Sequence, residues 1–243
     1  MNLIIDVGNS FVKLAVFKGE KLMQKENVKL DDALVNIKAL KKKYNTIEKT
    51  IISSVGKLKK TDVQAIAKFF DVLVLDSKTK LPFKNLYKTP ETLGVDRIAL
   101  VCGAVNQFTD KNTLIIDAGT CITYDFVTSD NEYLGGAISP GLRMRYKSLN
   151  NLTANLPLLE SEIPNDIIGN STDESIHSGV VNGILKEMDG VIDTYKLKYS
   201  DLTVILTGGD AKFLSKQLKS SIFANSNFLL EGLNYILKFN TNE

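Results

Sequence analysis

Histidine and cysteine are scarce in this chain, with one His and two Cys in 243 residues. A single histidine leaves no means of building a Cys/His zinc cluster, and Cys102 and Cys121 alone cannot provide a disulfide framework for a chain this long. Any metal must therefore be held by oxygen. Long apolar runs are also missing. None approaches the ~18 residues needed to cross a bilayer, and Met1-Asn2-Leu3-Ile4-Ile5-Asp6 contains neither a cationic segment nor a cleavage site. The expectation is a cytoplasmic protein that engages no membrane. A net charge of +2 falls short of the strongly basic balance of nucleic-acid binders, so no such partner is expected. What is present, 44% hydrophobic and 24% charged residues, suffices for one large domain or two small ones.

The charge is unevenly spread. Residues 1–110 carry 19 Lys/Arg against 12 Asp/Glu, whereas 111–243 carry 11 against 16, which suggests a bipartite molecule. Comparison of the chain with itself sharpens that suggestion. Leu3-Ile4-Ile5-Asp6-Val7-Gly8-Asn9-Ser10 aligns with Leu114-Ile115-Ile116-Asp117-Ala118-Gly119-Thr120-Cys121, and a second β-rich run follows each copy. Both copies read as strand, tight glycine turn, strand. A spacing of 111 residues is the size of a small domain, so two similar α/β domains are expected, 1–110 and 111–243. Helical periodicity at Leu30, Leu34, Ile37, Leu40 and Tyr44, and helices over about 92–108 and 171–197, alternate with strands at 51–55, 72–75 and 204–206. Two short helices are expected to end the chain. This alternation implies largely parallel sheets fed by hairpins.

An aspartate that closes a buried strand, with glycine two residues on and then an amide or hydroxyl, suits phosphate and a hydrated cation. The carboxylate offers a hard oxygen, glycine admits close approach, and the next N–H and O–H groups donate to phosphate. A single copy also serves as an ordinary hairpin turn. Two copies at equivalent places in two domains favour the phosphate reading, with the pair facing each other across a cleft. The strand Val204-Ile205-Leu206 running into Thr207-Gly208-Gly209-Asp210 adds a turn suited to adenosine. The P-loop, the dinucleotide G-x-G-x-x-G and the protein-kinase signatures are absent. Phosphoryl transfer without a P-loop on duplicated Asp-Gly hairpins is the organisation of the actin, sugar-kinase and heat-shock-ATPase superfamily, with two ribonuclease-H-like (actin-like ATPase) domains.

Within that superfamily the chain resembles the type III pantothenate kinases, which open coenzyme A synthesis. The matching pieces span nearly the whole sequence: Asp6-Val7-Gly8-Asn9-Ser10 with Lys13, Tyr87, Gly94-Val95-Asp96-Arg97, Asp117-Ala118-Gly119-Thr120, Gly135 to Gly141, Thr153 to Pro157, Thr172, Ser178-Gly179 and Thr207 to Asp210. Ser10 stands where threonine is commoner and keeps the hydroxyl. The resemblance implies that Asp6, Val7, Gly8, Asn9, Ser10, Phe11, Val12 and Lys13 bind Mg-ATP, with Thr120 contributing. It implies Asp117 as ligand of a monovalent cation, K⁺ or NH₄⁺, and Asp96 as proton acceptor. Tyr87, Gly94, Val95, Asp96, Arg97 and Thr172 match residues around pantothenate. A homodimer is implied too, with Thr172 supplied across the subunit interface.

Read without that resemblance, Asp96 opens a helix with the apolar stripe Ile98, Val101, Cys102, Val105 and Phe108. It fits a positioned base as well as a first-turn carboxylate favoured by the helix dipole. Arg97 suits a carboxylate or phosphate, or a surface ion pair. Gly135, Gly136 and Ser139-Pro140-Gly141 read as a tight loop or as backbone crowding a substrate. Arg143, Arg145 and Lys147 read as a steering patch for polyphosphate or as a solvated edge. The run Lys38, Lys41, Lys42 and Lys43 reads as a solvated helix end, His177 as structural, and Tyr124 and Asp125 as return-strand residues without a catalytic role. Two competing functions remain open: a kinase of another hydroxylated acid or sugar, and a non-catalytic regulator like the Bvg accessory factors. The second expects damage at Asp6, Asp96 or Asp117, all of which are present.

Overall fold

The computed structural model describes residues 1–8, 11–54 and 58–241, so Asn9 and Ser10 and the strand end at Val55 lie outside the described residues. The chain divides into two compact units. The first comprises Met1–Thr109, Asn131–Tyr133 and Asn227–Glu243, and the second Asp110–Asp130 and Leu134–Ser226.

The first unit begins with the expected hairpin, β1 (Asn2–Val7) and β2 (Val12–Lys18), followed by β3 (Lys21–Val28), whose half-exposed alternation gave no strand signal in the sequence. After a 3₁₀ turn at Leu30–Asp32 comes α1 (Ala33–Lys43), which buries Ala33, Ile37 and Leu40 and ends on Lys41, Lys42 and Lys43, where cations offset the carbonyl dipoles. Next come β4 (Lys49–Ser54), α2 (Lys60–Ala67), β5 (Asp71–Val74), a two-residue β6 (Lys84–Asn85) and α3 (Val95–Gln107). The sheet order is β3-β2-β1-β4-β5, antiparallel within β1–β3 and parallel from β1 through β4 to β5.

Strand alternation decides what each face of β1 does. Leu3, Ile5 and Val7 join the core with Ile37, Leu40 and Ile66 of α1 and α2. Asn2, Ile4 and Asp6 face the other way. β6 pairs in parallel with Glu132 and Tyr133, which belong to this unit.

In the second unit, β7 (Thr113–Ala118) and β8 (Cys121–Val127) repeat the hairpin, and β9 (Glu132–Pro140) follows. Of the glycine-rich segment read as a tight loop or as backbone crowding a substrate, residues up to Pro140 are strand. Gly136 is what allows this, because a Cβ there would lie 1.5 Å from the Tyr124 carbonyl oxygen. Then come α4 (Leu142–Asn151), α5 (Thr172–His177) and α6 (Gly183–Lys198), the last two joined by a π-helical turn at Ser178–Asn182. β10 (Thr203–Thr207), α7 (Ala211–Leu214) and β11 (Phe223–Ala224) complete the unit. Here β9, β8, β7, β10 and β11 are neighbours in that order, the same arrangement as in the first sheet. Leu114, Ile116, Ile122, Tyr124 and Phe126 pack against Ile184, Met188 and Ile192 of α6. The lone histidine, His177, places its Nδ1 2.8 Å from the Tyr146 hydroxyl.

The chain ends in α8 (Phe228–Thr241), longer than the short terminal helix expected. The division at 110/111 drawn from the repeat differs from the observed units here, since 227–243 cluster with the first unit. The cause is packing. α8 lies against α3 at backbone contact, where a Cβ on Gly232 would sit 2.0 Å from the Ala99 carbonyl oxygen and one on Gly103 would sit 3.3 Å from the Phe228 ring. Asn234, fully buried, accepts from the Asn2 amide at 3.1 Å and donates to the Gly19 carbonyl at 3.0 Å.

Candidate active site

In the first unit the hairpin register places Lys13 directly across from Asp6, and its ammonium lies 3.1 Å from the carboxylate. Asp6 is 5% exposed. Burial raises its pKa against the pull of Lys13, and the nearby Asp96 carboxylate raises it further. Two acids and one lysine thus converge in this unit. The turn is closed by the Gly8 N–H donating to the Phe11 carbonyl at 3.1 Å. Val7 and Val12 are core residues, so of this run they offer only backbone to a ligand, while the Phe11 ring points outward.

Asp96 sits in the first turn of α3, where the Arg97 N–H donates to it at 2.9 Å. Its carboxylate folds back over Gly94. A Cβ on Gly94 would lie 2.3 Å from Oδ1, although the Gly94 backbone (φ −58°) is open to any residue. Gly94→Ala is therefore expected to leave the helix intact and turn the Asp96 carboxylate aside. We expect turnover to fall about 10–100-fold, the cost of an ångström-scale misplacement, with the melting temperature and the KM for ATP nearly unchanged. Steady-state kinetics beside a thermal melt checks this.

Arg97 is buried and stacks its guanidinium 5.5 Å from the centre of the Tyr87 ring. Tyr87 in turn stacks on buried Tyr133, with ring centres 6.1 Å apart and planes inclined by 27°. Sequence reasoning missed Tyr133, because nothing in the spacing of a tyrosine 46 residues away marks it as a support. Asp6, Lys13, Tyr87, Gly94, Val95, Asp96 and Arg97 all belong to the first unit.

Asp117, Thr120 and Thr172 belong to the second. Asp117, the residue before the last of β7, is half-buried, and Thr120 is exposed on the turn closed by the Gly119 N–H donating to the Cys121 carbonyl at 2.9 Å. Two glycines outside the repeat shape this hairpin. Gly208, at φ +98°, leaves space for the Asp117 carboxylate, which a Cβ would meet at 2.4 Å, and the Asp210 N–H donates to the Ala118 carbonyl at 2.9 Å. Gly141 leaves room in the same way for the Gly119 and Thr120 carbonyl oxygens of the turn. Thr172 opens α5 behind the N-cap Ser171 and borders a groove of about 940 Å³ with Arg145 and Leu149.

No group of three or more His, Cys, Asp or Glu side chains suited to a metal occurs among the described residues. Nor is any described helix long and apolar enough to cross a membrane.

Two sheets of one strand order, each led by a hairpin with an aspartate at the end of its first strand, define an actin-like ATPase and sugar-kinase fold. Solved structures agree on that fold. A conserved Baf family protein from Campylobacter jejuni superimposes with a TM-score of 0.66 at 22% identity, covering 99% of this chain and 100% of that one. The activator of the 2-hydroxyisocaproyl-CoA dehydratase from Clostridium difficile, with bound ADPNP, gives 0.57 at 11% identity over 99% and 94%. The chain belongs to the type III pantothenate kinase family, whose model matches residues 2–194. A type III pantothenate kinase of Christiangramia forsetii is 56% identical over 240 residues, 99% of each chain.

Proposed function

We propose that the protein transfers the γ-phosphoryl group of ATP to the primary 4′-hydroxyl of pantothenate. The observation that carries this reading is the Asp96 carboxylate, pinned at the start of α3 in the same unit as the Asp6–Lys13 pair and the Arg97–Tyr87 stack. Asp96 accepts the hydroxyl proton as the oxygen bonds to phosphorus and ADP departs. Arg97, over the Tyr87 ring, presents a planar fork suited to the pantothenate carboxylate. Lys13, Thr120 and the backbone of the first hairpin hold phosphate oxygens, and Asn9 and Ser10 are proposed to do so as well. Asp6 would hold Mg²⁺, which supplies charge neutralisation on the phosphates. Asp117 would hold K⁺ or NH₄⁺ beside Gly208.

We further propose a homodimer to which Thr172 contributes across the interface. Exposed Leu152, Leu158, Ile163, Ile167 and Ile168, concentrated in one segment of the second unit, support a covered face. Sedimentation at micromolar concentration checks the oligomeric state.

The deciding experiment combines the purified protein with Mg-ATP and pantothenate, with K⁺ present or replaced by tetramethylammonium. The expected product is phosphopantothenate, formed faster with K⁺. Turnover of another hydroxylated acid or a sugar, with pantothenate inert, would overturn the assignment, and equal rates without K⁺ would remove Asp117 as a cation ligand.

A further inference from the structure

Arg145, open from the sequence to a polyphosphate-steering reading and a solvated-edge reading, is held by its own unit. Its side chain is 21% exposed and is bonded through Nε and one terminal nitrogen. From α4 it reaches back over the preceding turn: Nε donates to the Pro140 carbonyl at 2.9 Å, and one terminal nitrogen donates both to Ser139 Oγ at 2.9 Å and to Glu187 of α6 at 2.5 Å. The other Glu187 oxygen accepts the Tyr124 hydroxyl of β8 at 2.9 Å. One carboxylate thus ties α4, α6, β8 and the end of β9 together.

Burial pulls the Glu187 pKa upward, but hydrogen bonds from Arg145, Ser139 and Tyr124 outweigh it and hold the carboxyl below its ordinary range. Burial, and then the same carboxylate, push the Tyr124 phenol well above its own. Around neutral pH the cluster is therefore an ionised Arg–Glu pair with a neutral phenol donor, the stronger class of hydrogen bond.

The turn that Arg145 holds meets the second hairpin without slack. The Gly141 N–H donates to the Thr120 carbonyl at 3.2 Å, and a Cβ on Gly141 would lie 2.2 Å from the Gly119 oxygen and 2.4 Å from the Thr120 oxygen. Where the Ser139-Pro140-Gly141 turn sits, the 119–120 peptides must follow.

We infer that Arg145 and Glu187 are positioning residues for the Asp117–Thr120 hairpin, setting nucleotide and monovalent-cation affinity through the Ser139-Pro140-Gly141 turn. The inference rests on the roles proposed above for Thr120 and Asp117. Nothing in the sequence marked Glu187, one of several charges along an amphipathic helix.

The test is steady-state kinetics of Glu187→Ala, Glu187→Gln and Arg145→Lys in the full chain, varying Mg-ATP, K⁺ and pantothenate in turn. Glu187→Ala is expected to raise the KM for Mg-ATP and the half-saturating K⁺ concentration about 10-fold, the lower end of the usual cost of losing a supporting partner. The KM for pantothenate should stay unchanged. Glu187→Gln, which keeps an oxygen toward Tyr124, should recover part of the loss, and it serves in place of Glu187→Ala if that variant does not fold. A raised KM for pantothenate with the nucleotide KM unchanged would make Arg145 a substrate contact and overturn the inference. A lowered melting temperature with all three constants unchanged would also overturn it, leaving only a structural role. Calorimetric titration of the same variants with Mg-ATP needs no acceptor, so it tests the clamp even if wild type fails to phosphorylate pantothenate.

Discussion

Asp96→Asn is expected to lower turnover about 10²–10⁴-fold, the range for losing a positioned acid–base group, while Mg-ATP binds as in wild type. Asparagine matches the carboxylate in size and retains an oxygen that can accept the Arg97 N–H, now 2.9 Å away, so the start of α3 should keep its geometry. What disappears is the ability to take a proton. The substitution also removes a negative charge that acts on Asp6, so nucleotide affinity should hold or improve slightly. Single-turnover kinetics with saturating ATP separates the chemical step from binding. A variant with full turnover would remove Asp96 from the mechanism and reopen the regulator reading.

Asp6→Asn should act in the opposite way, abolishing productive nucleotide binding while sparing the fold. We expect Mg-ATP affinity to fall about 100-fold or more, since supporting partners of a metal ligand alone are worth 10–100-fold. Calorimetry with Mg-ATP reads it directly. The stability outcome is equally specific. Burial is the largest influence on Asp6 and raises its pKa, so the ionised form weighs against the folded state once the pH exceeds the folded pKa. A neutral amide lifts that cost, and Lys13, 40% exposed, is readily hydrated once its partner is gone. The variant should therefore melt no lower than wild type at neutral pH. A large loss of stability with intact nucleotide binding would contradict the assignment of Asp6 as a functional carboxylate kept at a cost to the fold.

The hairpins were legible because their signal is local. A buried apolar strand ending in Asp-x-Gly predicts the turn and its return strand, and the 111-residue repeat predicts a second similar domain; the register that sets Lys13 opposite Asp6 and the shared strand order are seen only in the structure. Asp96 and Arg97 were legible as candidates because a helix start is local too. Features that depend on distant partners were not. β3 is an edge strand with no continuous apolar face, and β9 gave no strand signal because Gly136 is required by the neighbouring Tyr124 backbone and not by a turn. Glu187 and Tyr133 gain their roles only from what the fold brings beside them. α8 showed helical patterning, but not that its target lay at the other end of the chain.

That last contact affects how the molecule comes off the ribosome. One face of β1 and much of α3 wait for a helix translated after the body of the second unit, 134–226. The unit begun first is thus completed after the other's body has emerged, the reverse of the usual vectorial order. A nascent chain halted before residue 227 would hold a mature second half beside an open first one, displaying Ile4 and the α3 stripe to chaperones until Asn234 arrives.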